Sequence, residues 1–179
     1  MESFECASVA LAACRSVLRR LTVDDLTWPS PCAEYTVGEV GEHVVRSMVL
    51  LASVAEAAHS AGGLAVGLLD ERVAVTAEAA LAAWRRRGLG GSVAVGRSTL
   101  PASLAVEIIP LELLVHGWDM ARATGSGIDV PPEVASHVLG CARSLITVDK
   151  RGRSFAAEVP AGPSATVLER LIAFTGRQP

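Results

Sequence analysis

The stretch PLELLVHGWDMARATG, residues 110 to 125, sets Glu112, His116 and Asp119 inside an apolar run. A carboxylate and an imidazole four residues apart lie on one face of a helix, with Cβ atoms about 5–6 Å apart. That is a workable spacing for two ligands of one metal ion, as in other helical sites built from Glu and His. On spacing alone such a pair is more often a surface hydrogen bond. The apolar surroundings shift the balance, because a buried carboxylate without a partner is costly. A third ligand has to come from another helix, and His43, between Val40 and Val44, is the best candidate. Two imidazoles and one carboxylate leave a tetrahedral zinc ion with one open position, the arrangement of a catalytic site.

Other residues near this set have candidate roles. Asp119 is placed to orient a metal-bound imidazole, or else to cap a neighbouring turn. It is also the nearest source of a fourth ligand, provided the helix distorts after His116. Arg122, one turn beyond Trp118, could pair with a substrate carboxylate, although a solvated cation at a helix end has the same appearance. His59, beside glycines near a helix end, and His137, on an expected solvent face, read as ordinary. Cys6, Cys14, Cys32 and Cys141 show no C-x-x-C spacing, which argues against a cysteine zinc site. They read as small buried hydrophobes, with Cys32 the one to watch. There is no P-loop, no G-x-S-x-G and no dinucleotide fingerprint.

The elements that must position these side chains are helical. Hydrophobic residues make up 50% of the 179 residues and aromatics only 4%, and Ala, Val and Leu dominate. Ala and Leu favour helices over a sheet. A first helix is expected from Ser3 to about Arg20, broken by the prolines of TWPSPCAEY. Thr36 and Glu39 form a capping box for a second helix that carries His43 and ends before Gly62. A third covers about Asp70 to Arg87, and Val93 to Leu100 suggests a short hairpin. A fourth starts at Pro101, capped by Ser98 or Thr99, with Pro110 expected to kink or divide it and Gly125 as its C′ residue. A fifth runs from Pro131 and Pro132 to about Ile146, and a last one from Ser164 to Thr175, stopped by Gly176. The reading is an all-α bundle formed by residues 1–179 as one domain.

Net charge is −3 and the basic residues are scattered apart from Arg85, Arg86 and Arg87, so nucleic acid is not an expected partner. No secretory signal and no membrane-length apolar run is seen, so a cytoplasmic setting with reduced thiols is expected.

Two separated segments resemble one known family. SPCAEYTVGEVGEHVV is similar to the TPC-x-x-WTV-x-DL-x-x-H segment of the DinB-like superfamily, in its mycothiol-dependent maleylpyruvate isomerase N-terminal branch. ELLVHGWDMARATG is similar to the second signature of that branch, and PSATVLERLIAFTGRQP to its usual ending. The resemblance implies a four-helix core and a divalent metal, usually zinc, held by two His and one Glu. Those fall on His43, Glu112 and His116. Tyr35 stands where Trp is usual, and Ser47 where many relatives have Gly. The isomerase itself carries an additional C-terminal domain, none is expected here, and the maleylpyruvate reaction is therefore not the leading expectation.

The leading expectation is a zinc-dependent isomerase or thiol S-transferase using a low-molecular-weight thiol, mycothiol, on a small electrophilic substrate, possible as a homodimer. Zinc favours the thiolate of a coordinated thiol at neutral pH. The competing expectations are a non-catalytic metal-binding or structural bundle, and a metal-independent cyclase or isomerase in a biosynthetic pathway.

Overall fold

Among the described residues, alanine and leucine at helical spacing build seven α-helices, joined by one hairpin and two short 3-10 turns. The computed structural model describes residues 1–32, 34–57, 67–152 and 154–179, with Asp149 described by its backbone alone. In chain order the elements are α1 (Ser3–Leu18), α2 (Val37–Glu56), α3 (Leu69–Arg87), β1 (Ser92–Val95), β2 (Ser98–Pro101), α4 (Ala102–Ala105), α5 (Ile108–Ala123), α6 (Pro132–Leu145) and α7 (Val167–Phe174). The fold is therefore mainly helical, with a two-stranded antiparallel sheet in which Val93 pairs with Leu100. Gly96 opens the tight turn with φ of +58°, a conformation that favours glycine.

The four long helices meet in a closed ring. α1 packs on α5, α5 on α2, α2 on α3, and α3 back on α1. α5 is the central member. Ile109, Leu113, Leu114, Val115 and Met120 are buried on several sides of it, so its apolar face is not a single stripe. A Cβ on Gly117 would stand 2.9 Å from the Ile128 Cδ1 and in ordinary contact with Cys14 of α1. α6 packs against α1 and α7, and one apolar cluster runs from Cys6 to Ile172.

Several boundaries differ from the sequence expectation. The fourth helix is divided into α4 and α5, as Pro110 allowed, but the break falls at Val106 and Glu107 rather than at the proline. Pro110 then sits in the first turn of α5, where the missing N–H leaves no helical bond unmade. Ser98 and Thr99 do not cap α4. Their backbones are committed to β2, and Pro101 occupies the cap position without a side-chain bond. α7 starts at Val167 rather than Ser164, because Thr166 and Glu169 form a capping box that fixes the first turn. α1 ends at Leu18 and α6 at Leu145, each short of its expected end. Gly125 is the C′ residue of α5 as expected, with Ser126 N–H bonded to the Ala121 carbonyl at 2.8 Å. His59 lies outside the described residues.

Candidate metal centre

The Thr36–Glu39 capping box starts α2: the Glu39 carboxylate accepts the Thr36 N–H, and the Thr36 hydroxyl accepts the Glu39 N–H. Two turns later the helix presents His43 and Ser47, both half-buried, towards α5. The preceding loop closes on itself through Ser30, whose hydroxyl donates to the Tyr35 carbonyl at 2.7 Å. This sets Tyr35 beside His43, with ring centroids 5.9 Å apart.

Three donor atoms converge between α2 and α5. His43 Nε2 lies 3.1 Å from Glu112 Oε2, and His116 Nε2 lies 3.6 Å from the same oxygen. The two imidazole rings meet edge to face at 4.8 Å. Ligand atoms of His43, Glu112 and His116 all fall within 4.8 Å of one another. A tetrahedral ion about 2.0–2.2 Å from each N or O donor holds such donors roughly 3.3–3.6 Å apart, so the set fits one divalent ion with little movement. His43 is the accessible edge, its side chain 33% exposed against 9% for His116.

Glu112 is ionised in this setting. Burial alone would raise its pKa, but the hydrogen bond from His43, the charges of His116 and His43, and a bond from Ser47 outweigh it. The carboxyl is held at about 2.

Behind His116 stands a second layer. His116 Nδ1 is 3.0 Å from Asp119 Oδ2, and Asp119 is completely buried. Arg177 reaches the same carboxylate with two donors, Nε to Oδ1 at 2.6 Å and Nη2 to Oδ2 at 2.8 Å. Burial would raise the Asp119 pKa, but bonds from His116 and Arg177 bring it below the ordinary value. An ionised Asp119 accepts a hydrogen bond from His116 Nδ1, which turns the Nε2 edge of the ring towards Glu112 and His43. This is the carboxylate–histidine arrangement that orients metal-binding imidazoles.

Asp119 is thus brought to the site in the orienting position, with both oxygens occupied. Arg122 is exposed in the last turn of α5 and makes no hydrogen bond with the other members. The guanidinium at the site is Arg177, which sequence reasoning missed. Its placement depends on the end of α7: Gly176, with φ of +89°, sends its N–H to the Ala173 carbonyl, and Arg177 N–H returns to Ile172. A Cβ on Gly176 would also stand 2.6 Å from Ala156 Cβ, so the turn is closely packed. The glycine stop was legible in the sequence. The partner 58 residues earlier was not.

Cys32 is near this second layer, with ligand atoms of Cys32, His116 and Asp119 mutually within 4.8 Å. Burial and the Asp119 charge push its thiol pKa up, although Arg177 opposes them. Cys6 and Cys14 are buried, each raised to about 12 mainly by burial, as expected of small apolar residues. His137 departs from expectation. It is half-buried and turned inward, with Nε2 at 2.9 Å from Glu107 Oε2, because α6 lays that face against the start of α5.

Residues 7–121 match the family model described as the mycothiol maleylpyruvate isomerase N-terminal domain. The chain belongs to that family. The matched span contains His43, Glu112, His116 and Asp119, whereas Arg177 lies beyond it. Two uncharacterized proteins of Mycobacterium tuberculosis, from two strains, are each 29% identical to it over 164 residues, covering 90% of both chains. No solved structure matches it. Among the described residues no helix is long and apolar enough to cross a membrane.

Proposed function

We propose that this family member binds one divalent ion, zinc foremost, through His43, Glu112 and His116. In this reading it is an isomerase or S-transferase that brings mycothiol to a small electrophilic substrate within a four-helix core. The observation that carries the reading is the convergence of three donors on one point, with Asp119 and Arg177 locking the orientation of His116. The ring of contacts among α1, α5, α2 and α3 supports the four-helix core.

A bound zinc ion supplies Lewis acidity, favouring the thiolate of an incoming thiol at neutral pH. The chain's own residues arrange the rest. Glu112 enters as a carboxylate, so no proton has to leave it first. Asp119 holds the Nδ1 proton of His116 and keeps Nε2 free to coordinate. Because both Asp119 oxygens are held by His116 and Arg177, an ion would be held by His43, Glu112 and His116 without Asp119 as a further ligand. The His43 and Tyr35 edge is the accessible side, from which a small molecule would approach. Cys32 stays protonated beside Asp119, which fits a chemistry whose nucleophilic thiol arrives from outside. Arg122, exposed one turn beyond, would meet a substrate carboxylate only from the solvent side.

The test combines metal analysis with calorimetry. Zinc-loaded protein should bind mycothiol and release a proton, seen as a heat that differs between buffers of different ionisation enthalpy. His116→Ala should lose both the bound thiol and the proton release. Zinc-loaded wild-type protein that takes up no low-molecular-weight thiol at millimolar concentration overturns the thiol reading. Unchanged zinc uptake by the His43 and Glu112 alanine variants overturns the ligand set.

A further inference from the structure

A second group of donors lies at the other end of the same central helix. Glu107 sits at the break between α4 and α5, and its side chain is 5% exposed. It makes no capping bond to the α5 backbone. Its carboxylate instead meets His137 of α6, Oε2 to Nε2 at 2.9 Å. One turn further along α6, Cys141 Sγ lies 3.8 Å from that same Nε2. Ligand atoms of Glu107, His137 and Cys141 are all within 4.8 Å of one another.

Which nitrogen is used decides what the group can do. A cysteine nucleophile activated by a His–Glu relay needs the thiol on one ring nitrogen and the carboxylate on the other. Here oxygen and sulfur both face Nε2, so the His137 ring does not stand between them. The Glu–His pair ties α6 to α5 through the 2.9 Å contact, and the Cys141 thiol, hydrogen-bonded to Glu107, joins the same group as a third donor. Convergence of an oxygen, a nitrogen and a sulfur is the geometry of a ligand set. A tetrahedral ion about 2.0–2.3 Å from its donors separates them by roughly 3.3–3.8 Å, so the observed spacings need only small adjustments. His137 and Cys141, four residues apart, share a helix face, as ligand pairs on helices do. His137 is 20% exposed, which gives an ion a route in from solvent.

The geometry points to Glu107, His137 and Cys141 as a second metal site, one that takes a thiophilic divalent cation such as zinc. The carboxylate supplies charge, the imidazole a borderline donor, and the cysteine a thiolate that hard cations such as magnesium do not favour. Binding displaces the thiol proton of Cys141 and forms a metal–sulfur bond, with no change of oxidation state. This inference does not depend on the function proposed for the first site, whose three donors contain no sulfur.

Cobalt(II) alone is the probe, because thiolate coordination gives a near-ultraviolet sulfur-to-cobalt charge-transfer band that nitrogen and oxygen ligands do not. The full chain loaded with cobalt should show the band. Cys141→Ser should abolish it and lower cobalt content by about one equivalent, as expected for loss of a ligand. Cys32→Ser and His116→Ala should both retain the band, which separates this site from the first. As a check independent of any variant's folding, zinc at about tenfold its dissociation constant should slow alkylation of Cys141 in the wild-type chain about tenfold, read by peptide mass mapping. Absence of the band in the wild-type chain, its survival in Cys141→Ser, its loss in Cys32→Ser, or unprotected alkylation of Cys141 each overturns the proposal.

Discussion

Two donor groups sit on one helix only five residues apart in their carboxylates, Glu107 and Glu112, yet their surroundings differ. At Glu112 both imidazoles face one oxygen, and His116 is backed by Asp119, itself gripped by Arg177. At Glu107 the imidazole of His137 has an oxygen and a sulfur on the same nitrogen. Among the described residues no carboxylate holds its other nitrogen. The first group is oriented before any ligand arrives, and the second is held by its ligand atoms alone. The same residue types at the same helical spacing therefore make sites of different rigidity. What differs is whether buried charge stands behind the imidazole.

The largest expected effect comes from removing the backing of the first site. Arg177→Ala leaves the Asp119 carboxylate buried without its bidentate partner, and breaking such a pair costs about 3–5 kcal/mol. Urea denaturation should register this loss, while Glu107→Gln, which keeps a hydrogen-bonding group facing His137, should cost far less. Equal losses in the two variants would remove the contrast between the sites.

Acid gives the next effect. Glu112 is held at about 2 in the folded chain against an ordinary value of 4.5. A folded value below the unfolded one contributes stability that is fully present above the unfolded pKa and is lost as pH falls through the window from 4.5 to about 2. Metal-free wild-type protein should lose roughly 2 kcal/mol more than Glu112→Gln between about pH 5 and pH 3. Parallel stability curves for the two proteins would show that His43 and His116 do not hold the carboxylate in its charged form.

The smallest effect sharpens the comparison most. Asp119→Asn keeps the shape but weakens the grip on the His116 Nδ1 proton, and losses of this kind lower metal affinity about 10–100-fold. Competition with a zinc chelator should detect the change at the first site. The sulfur-to-cobalt band at Cys141 should be unmoved. A change in that band would mean that the two groups are coupled through α5.

The sequence carried much of the site because helical spacing is a local property. Glu112 and His116 share a face whatever surrounds them, and the Thr36–Glu39 box placed the start of α2 and so the phase of His43. The division of the fourth helix near Pro110 was legible for the same reason, since a proline ring disfavours continuing a helix through the turn before it. Arg177 was not legible. A lone arginine after a helix-stopping glycine gains meaning only when α7 folds back and brings it to Asp119. The second group was hidden in a similar way. His137 and Cys141 form a visible i, i+4 pair, but Glu107 reaches them only because α6 packs across the start of α5. Local backbone chemistry thus determined which side chains share a face, whereas the burial of Asp119 and Glu107 was decided by packing. That burial makes an unpaired carboxylate costly enough to fix its partners.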